Sequence, residues 1–252
     1  MHSKTKGLIW IFGTVGIVYL FILALPYLAK TIPWSVETKM GKVLQDFPDT
    51  KVCKSDDGSR ALQKLVDRLH PILPNDSEFP VSVKIISGQS INAFASFGGQ
   101  IYVYDGLLQK AESDDELAGV LAHEMEHVRH RHIIQGAFVN FLTLELANLI
   151  FDPGSAVDPR FLHLLMNLQF SRAQETEADT DGLRRLQAAH IDTAGFARFF
   201  KREENQSSVP TILSDHPSSE NRSELAKQFP TPNSVKILEA SEWTSLKKIC
   251  SL

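Results

Sequence analysis

The sequence has 252 residues, of which 43% are hydrophobic and 22% are charged, and its formal net charge is −4. This length suits one sizeable domain with a hydrophobic core, either alone or with an appended segment. Lysine and arginine are scattered, which argues against a nucleic-acid partner. The sequence also shows no phosphate-binding glycine loop and no internal repeat. Nothing in the sequence indicates the oligomeric state.

An apolar segment lies at the N terminus. Residues 7–29 contain no charged side chain and are flanked by Lys6 and Lys30. As a helix, this segment spans roughly 30 Å or more, which is enough to cross a bilayer core. We therefore predict that residues 1–30 form a single retained transmembrane anchor, with a cleaved signal peptide as the alternative. Lysines flank both ends in nearly equal number, so the positive-inside rule leaves the orientation open.

The segment after the anchor is predicted to contain a small sheet. A proline-punctuated connector is predicted for residues 31–57, and residues 58–252 form the predicted domain. The spacing of leucine and valine predicts a first amphipathic helix over residues 58–69. Three short β-like runs predict about three strands with hairpin character, at residues 81–85, 91–97 and 100–104.

Helices are predicted to dominate the rest of the domain. A capping-box pattern at Ser113 to Glu116 precedes a helix predicted from Asp114 to beyond His130. Residues 133–151 are apolar but carry polar side chains, so we predict a packed or membrane-grazing helix there. Further helical patterns cover residues 161–189 and 194–204. The predicted fold class is α+β, mainly α-helical, with a small β-sheet.

The predicted central helix contains the motif HExxH. Its histidines, His123 and His127, are four residues apart and therefore lie one turn apart on the same helix face. Neutral imidazoles suit zinc, and Glu124 lies close enough to take a proton from a zinc-activated water. The alternative is a surface helix rich in histidine and glutamate. An apolar stripe favours a buried helix instead, at Leu117, Val120 and Leu121.

A third zinc ligand is predicted in a later helix. Glu175 and Asp179 are also one turn apart and can project towards the same place. This spacing permits Glu175 to bind zinc while Asp179 orients a histidine ligand through its other ring nitrogen. The alternative is a solvated acidic face next to Arg184 and Arg185, and Glu177 fits that alternative better than Glu175 does.

Four segments occur together in a specific order. They are Asn92-Ala93-Phe94-Ala95 with Gly98-Gly99, the HExxH helix, Ser171-Arg172 with residues 175–179, and His216-Pro217 followed by Arg222. In this combination the sequence resembles the M48 family of zinc metallopeptidases, over roughly residues 80–227. The resemblance implies a zincin-type peptidase domain that acts on polypeptides.

The resemblance also implies the composition of the active site. It implies one zinc ion per chain, held by His123, His127 and Glu175. Glu124 is implied as the general base and then the general acid, and Asp179 as the residue that orients a ligand.

His216 and Arg222 resemble family positions that stabilise the oxyanion or, in some members, cap the metal as a switch. For His216, the alternative is a turn histidine before a proline. The remaining histidines, including His130 and His132, are interpreted as surface or packing residues.

The location of the domain is predicted from the anchor and the cysteines. Some members of the family have several transmembrane anchors, whereas only one clear span is predicted here. The single predicted anchor indicates a similarity to the compact, exported members of the family. Cys53 and Cys250 lie near the two ends of the predicted domain. The sequence is compatible with two alternatives, a disulfide between them or two unrelated buried thiols. A disulfide would persist only in an oxidising compartment. We predict a single-pass membrane protein with its catalytic domain on the periplasmic side of a bacterial inner membrane; the cytoplasmic face is the alternative.

The predicted function is a membrane-anchored zinc endopeptidase for misfolded or misassembled proteins. The run that begins with Asn92, Ala93, Phe94 and Ala95 is expected to border the cleft as an edge strand, to which an extended substrate adds. Such pairing has little side-chain selectivity and therefore suits unfolded polypeptide. The alternative function is a membrane-tethered chaperone or binding factor in which the zinc site is latent or silenced.

Overall fold

The structure is a computed structural model. It describes residues 20–45, 51–140, 169–204 and 222–251, together with the single positions Gly13, Gly16, Ile17, Ile212 and His216. The chain divides into two compact units. One comprises Met1–Pro33 and Ile134–Leu168, and the other comprises Trp34–Ile133 and Gln169–Leu252.

Helices make up most of the second unit. They are α1 (Trp34–Gln45), α2 (Asp56–Leu69), α3 (Asp105–Lys110), α4 (Asp114–Arg129), α5 (Arg172–Ala188), α6 (Thr193–Glu204), α7 (Arg222–Lys227) and α8 (Ala240–Lys247). Short 3-10 turns lie at Asp76–Glu78 and Phe97–Gly99. The helices predicted over residues 58–69 and 194–204 are confirmed as α2 and α6, and the mainly helical fold class is confirmed with them.

The predicted three-stranded sheet is also confirmed. Its strands are β1 (Ser82–Ile86), β2 (Ala93–Ser96) and β3 (Gln100–Tyr104), in the order β1-β3-β2. β3 pairs with β1 in parallel and with β2 as an antiparallel hairpin. The hairpin turn needs Gly98 and Gly99, which have φ angles of 69° and 75°. A Cβ atom on Gly99 would lie 1.9 Å from the carbonyl oxygen of Pro80, so no side chain fits there.

The HExxH helix α4 lies at the centre of the second unit, buried from Glu116 to Val128 and packed against α5, α6 and β2. Its predicted capping box is wrong. Within the described part of the chain, Ser113 makes no side-chain capping bond. The carboxylate of Asp114 instead accepts hydrogen bonds from the backbone N–H groups of Ile237 and Leu238, at 3.1 and 2.8 Å. Long-range contacts thus replace the local cap.

The end of α4 differs from the prediction as well. α4 stops at Arg129, and Arg131 adopts a φ of 61°, so the helix does not continue beyond His130 as predicted. Arg131 donates a hydrogen bond to Glu37 in α1 at 2.6 Å, and Glu37 also accepts one from the backbone of Gly98 at 3.4 Å. The predicted connector over residues 31–57 therefore contains a helix that packs on the β2–β3 turn.

A disulfide joins the two ends of the second unit. Cys53 and Cys250, 197 residues apart, are bonded with their Cα atoms at 4.8 Å. The bond links the end of α8 to the segment before α2, and these two helices pack together.

Other predictions concern the first unit and the start of α5. Residues 20–29 and 132–140 are helical. Among the helices that the structure describes, none combines the length and the apolar character needed to span a bilayer. Residues 1–12 of the predicted anchor lie outside the described residues, as do 141–168, which include most of the predicted helix over 133–151. The helix predicted to start at 161 has its described part from Arg172 onward, after the N-cap Ser171.

Candidate metal centre

Helix α4 brings His123 and His127 together. Their Nε2 atoms lie 3.1 Å apart, and both side chains are buried. This is the result of their four-residue spacing, which places both rings on one face of a helix. Burial lowers the pKa of the His127 imidazole to about 3, so the ring is neutral and retains a nitrogen lone pair.

Helix α5 supplies two carboxylates to the same place. Its N terminus is fixed by a capping box between Ser171 and Gln174, which sets Glu175 in the first turn. Glu175 lies 3.5 Å from the Nε2 atom of His123 and 3.4 Å from that of His127. One turn later, Asp179 Oδ1 lies 2.8 Å from the other nitrogen of His123, Nδ1.

The close approach of α5 to α4 depends on a glycine. A Cβ atom on Gly182 would lie 3.2 Å from the backbone nitrogen of His123 and 3.3 Å from its Cα. Larger side chains there would push the two helices apart. Because Glu175 and Asp179 are on the same helix as Gly182, this packing determines how closely the carboxylates approach the histidines.

His216 adds a fourth potential donor. Its Nδ1 atom lies 3.2 Å from the Nε2 atom of His123 and 3.1 Å from Glu175 Oε1. Burial alone would lower its pKa, but the charges of Glu124 and Glu175 outweigh this effect and raise the pKa of His216 to about 9. In this position His216 is therefore a positively charged group beside the other donors, and loss of its proton would make Nδ1 a fourth ligand atom.

The four donors fit a divalent metal ion. They are all buried, and their ligand atoms all lie within 4.8 Å of one another. A tetrahedral zinc ion with ligands at about 2.1 Å holds neighbouring ligand atoms about 3.4 Å apart, close to the 3.1–3.5 Å spacings here. Within the described residues, Glu175 Oε2 is buried without a hydrogen-bond donor, which a cation would satisfy.

Glu124 lies beside this group of donors. Its Oε2 atom accepts a hydrogen bond from the backbone N–H of Ala95 at 2.8 Å, and its Oε1 atom lies 3.6 Å from His216 Nε2. The side chain is fully buried. Burial raises the pKa of Glu124 above its usual value, despite the neighbouring histidines. This carboxyl group can therefore both accept and return a proton.

Arg222 lies behind the carboxylates of α5. Its Nε donates a hydrogen bond to Asp179 Oδ2 at 2.9 Å, its Nη2 lies 3.5 Å from Glu175 Oε2, and its guanidinium stacks 3.9 Å from the ring centroid of Phe200. Burial raises the pKa of Asp179, but Arg222 and His123 outweigh this effect and lower it below the usual range. Arg222 thus helps to keep Asp179 ionised and lies against Glu175.

The predicted substrate strand lies next to Glu124. Ala93, Phe94 and Ala95 are in β2, and Asn92 immediately precedes it. β2 is at the edge of the three-stranded sheet, where its described partner is β3. The Ala95 N–H points away from β3 and donates to Glu124.

Two parts of the centre were missed in the sequence. His132 is buried, with its Nδ1 atom 3.0 Å from His127 Nδ1, and its Nε2 lies 3.1 Å from Glu177 Oε2. The fully buried Arg185 joins α5 to Glu126 of the HExxH motif at 2.7 Å. The alternation of acidic residues at 175, 177 and 179 was the available signal for Glu177, whereas no local pattern marked Arg185.

Arg185 also makes contacts outside the motif. It forms two hydrogen bonds to Asp76, at 2.7 and 2.9 Å, and a third to the carbonyl oxygen of Leu69 at 2.8 Å. A bidentate arginine–carboxylate pair of this kind is geometrically specific. Arg185 therefore fixes α5 to the 3-10 turn that begins at Asp76 and to the end of α2 at Leu69.

Comparisons with known proteins agree with this geometry. The profile of Peptidase family M48 matches residues 59–229. The chain is similar to metalloprotease LoiP of Escherichia coli, at 29% identity over 80% of this chain and 82% of the relative. It is similar to the mitochondrial metalloendopeptidase OMA1 of Schizosaccharomyces pombe, at 29% identity over 88% of this chain and 72% of the relative.

Other relatives are much longer than the matched region. The beta-barrel assembly-enhancing protease of Escherichia coli is 26% identical over 71% of this chain, and the chain spans 40% of its length. A similar protein of Vibrio cholerae is 32% identical over 62% of this chain, which spans 37% of its length, so the chain corresponds to well under half of these two relatives. The family profile covers more than half of the present sequence and includes α4 and α5. The chain therefore belongs to peptidase family M48.

Proposed function

We propose that this protein is a membrane-anchored, zinc-dependent endopeptidase that hydrolyses peptide bonds in loosened or misassembled polypeptides. The observation that supports it best is the convergence of His123, His127 and Glu175 at 3.1–3.5 Å, with Glu124 alongside. Two imidazoles and a carboxylate are a donor set typical of catalytic zinc. A purely structural zinc site has no need of a neighbouring buried glutamate.

The reaction follows from the positions of these side chains. Zinc would be held by His123, His127 and Glu175, and when bound it lowers the pKa of water and polarises the scissile carbonyl. Glu124 takes a proton from the attacking water as the new C–O bond forms. It then delivers that proton to the amide nitrogen as the C–N bond breaks, so that the amine leaves neutral.

His216 and Arg222 have different roles in this proposal. A protonated His216, 3.6 Å from Glu124, is a donor for the negative oxygen that develops on the substrate carbonyl. Arg222 touches Asp179 and Glu175, so it positions those carboxylates. Asp179 in turn orients the ring of His123 through Nδ1.

The edge strand β2 supports a polypeptide substrate. An extended peptide that adds to β2 would take its affinity from main-chain hydrogen bonds, with little dependence on its side chains. This mode of binding requires the substrate to be locally unfolded. It therefore suits a role in protein quality control, and a relative is named for enhancing beta-barrel assembly.

Two features support a membrane-anchored, exported domain. The uncharged segment of residues 7–29 includes exposed apolar side chains, at Ile17, Leu20 and Tyr27, which favour a lipid environment. The disulfide between Cys53 and Cys250 favours an oxidising compartment, such as the bacterial periplasm.

A second candidate function is supported by the position of His216. Its Nδ1 atom is as close to His123 and Glu175 as a fourth ligand would be. A histidine in that position displaces water, which would leave a silenced site in a membrane-tethered chaperone or binding factor.

One set of variants tests both candidates. The full chain in detergent or vesicles is assayed on casein together with Glu124→Gln, Glu175→Ala and His216→Ala. For an endopeptidase, we expect Glu124→Gln to keep its zinc and its fold but to lose hydrolysis, and Glu175→Ala to lose zinc. Cleavage that survives Glu124→Gln would contradict the assignment of the base.

The His216→Ala variant distinguishes a latent enzyme from a binding factor. Increased cleavage would indicate that His216 caps the centre, and decreased cleavage would indicate that it stabilises the oxyanion. If neither the wild type nor this variant cleaves any unfolded substrate while both retain zinc, the binding-factor function is favoured.

A further inference from the structure

The two candidate histidine ligands differ in how their second ring nitrogen is bound. The Nε2 atom of His127 faces the other donors, 3.1 Å from His123 and 3.4 Å from Glu175. A nitrogen that binds a metal must offer a lone pair, so the hydrogen of the neutral His127 ring must be on Nδ1. This Nδ1–H needs an acceptor.

His132 provides that acceptor. Its Nδ1 atom lies 3.0 Å from His127 Nδ1 and must carry a lone pair to accept this hydrogen bond. The hydrogen of His132 is then on Nε2, which lies 3.1 Å from Glu177 Oε2. An ionised carboxylate only accepts, so the three groups have one consistent arrangement of hydrogens: His127 donates to His132, and His132 donates to Glu177.

We propose that His132 and Glu177 are positioning residues that fix the tautomer and the ring orientation of His127 for metal binding. The proposal rests on the proposed function, since it assigns His127 as a metal ligand. Asp179 orients His123 by direct contact at 2.8 Å, whereas Glu177 orients His127 through the His132 ring. Both orienting carboxylates are on α5, the helix that also supplies Glu175.

The backbone after α4 brings His132 back towards His127. Arg131 has a left-handed φ of 61°, and this conformation ends the helix. The Arg131 side chain is held by Glu37 at 2.6 Å and lies 4.4 Å from the ring centroid of Trp34. The turn that places His132 is therefore anchored from α1.

Ring packing restricts the orientation of both histidines. Phe170 stacks on His127 with the ring centroids 4.0 Å apart. The ring of His132 stacks on that of His130, with an interplanar angle of 16° and a distance of 5.5 Å between the ring centroids. His132 is only 1% exposed, so its ring cannot rotate into solvent to exchange its two nitrogens.

The test measures zinc affinity by competition with a chelator, on the full chain. Loss of an orienting partner typically weakens metal binding by about 10- to 100-fold, and we expect this for His132→Leu. His132→Asn restores an acceptor for the Nδ1–H of His127 and is expected to recover part of the loss. Glu177→Gln removes the charge but keeps an acceptor, so we expect a weakening of about tenfold. The matched control is Glu242→Gln, another half-exposed carboxylate, which pairs with Lys64 and should leave zinc affinity unchanged.

Two further readouts make the result specific. Because His132 and Glu177 act in series, the double variant should bind zinc no more weakly than His132→Leu alone. In the cobalt-substituted protein, His132→Leu should alter the visible absorption of the metal, whereas Glu242→Gln should not. If His132→Leu fails to fold, the half-exposed Glu177→Gln still provides the affinity measurement.

Separate outcomes overturn the inference and the proposed function. Unchanged zinc affinity and an unchanged cobalt spectrum in Glu177→Gln and His132→Leu, with zinc lost in His127→Ala, would refute the positioning role alone. Full zinc binding and hydrolysis in His127→Ala would refute the proposed function itself.

Discussion

The backbone N–H of Ala95 donates a hydrogen bond to the side chain of Glu124 at 2.8 Å, which joins the edge strand β2 directly to the proposed general base. A peptide that adds to β2, as proposed, would lie beside Glu124. The same N–H helps to hold the Glu124 carboxylate in place, so strand and base are positioned together.

Replacing Ala95 by proline removes this N–H. Hydrogen bonds to charged groups contribute about 1.5–3 kcal/mol, so we expect kcat/KM on casein to fall by about 10- to 100-fold. The donor faces away from β3, so proline is tolerated at this edge without loss of the β2–β3 pairing. Ala95→Val keeps the N–H and is the control. Equal activities for the two variants would show that this hydrogen bond does not contribute to catalysis.

Removing the metal should destabilise the second unit. A ligand that binds only the folded state at 100 times its Kd adds about 2.7 kcal/mol of stability. We therefore expect a chelator to lower the Tm of the wild type and zinc to restore it. Glu175→Ala should show a much smaller response. A wild-type Tm that does not respond to chelation and zinc would contradict a metal centre in this position.

Replacing Arg185 by methionine should strongly destabilise the fold. The change leaves the carboxylates of Asp76 and Glu126 buried without their cation. Breaking one side of such a buried pair costs about 3–5 kcal/mol, measured as the free energy of unfolding in urea. Arg184→Met, at an exposed neighbouring position, is the control and should change it little. A loss below about 1 kcal/mol would mean that the buried network relaxes easily.

The Asp76 carboxylate should make the stability depend on acid pH. Burial raises its pKa, but the His70 ring at 3.7 Å and the hydrogen bonds from Arg185 and two backbone N–H groups outweigh burial and hold the pKa well below its usual range. The contribution is therefore present above the unfolded-state pKa of about 3.9 and is lost as the pH falls through the folded-state value.

The measurement is the free energy of unfolding in urea of the wild type and of Asp76→Asn, at several pH values between about 6 and 3. This range spans the unfolded-state pKa of an aspartate. We expect the variant to be less stable near neutrality, with the difference shrinking as the solution becomes more acidic. The exposed Asp67→Asn variant is the control. A difference that is constant over the whole range would contradict the predicted pH dependence.

Opening the disulfide should also reduce stability. A bond between residues 197 positions apart closes a long loop and restricts the unfolded chain. Removing a native disulfide typically costs about 2–5 kcal/mol, and we expect this loss in the Cys53→Ser, Cys250→Ser double variant. A reducing agent should lower the Tm of the wild type and leave that of the double variant unchanged. A wild type insensitive to reduction would contradict the prediction.

The sequence predicted those features that depend on local spacing. The spacing of His123 and His127 predicts that both lie on one face of a helix, and the resemblance to M48 implies the distant carboxylate of Glu175 as their partner. The capping box at Ser113 was wrong because the Glu116 carboxylate binds Arg202 and the backbone N–H of Glu112 instead.

The buried network of Arg185 was not predictable for the same reason. Its partner Asp76 is 109 residues away, and no repeat or motif connects the two positions. The role of His132 depends on the left-handed turn at Arg131. A non-glycine residue in that conformation is uncommon, so a sequence pattern does not indicate it.

Helix α5 carries Glu175 and both orienting carboxylates, and Arg185 fixes the same helix to α4. A displacement of this single helix would therefore disturb every one of those contacts at once. We therefore expect the proposed zinc site and the packing of α5 on α4 to be lost in the same step of unfolding.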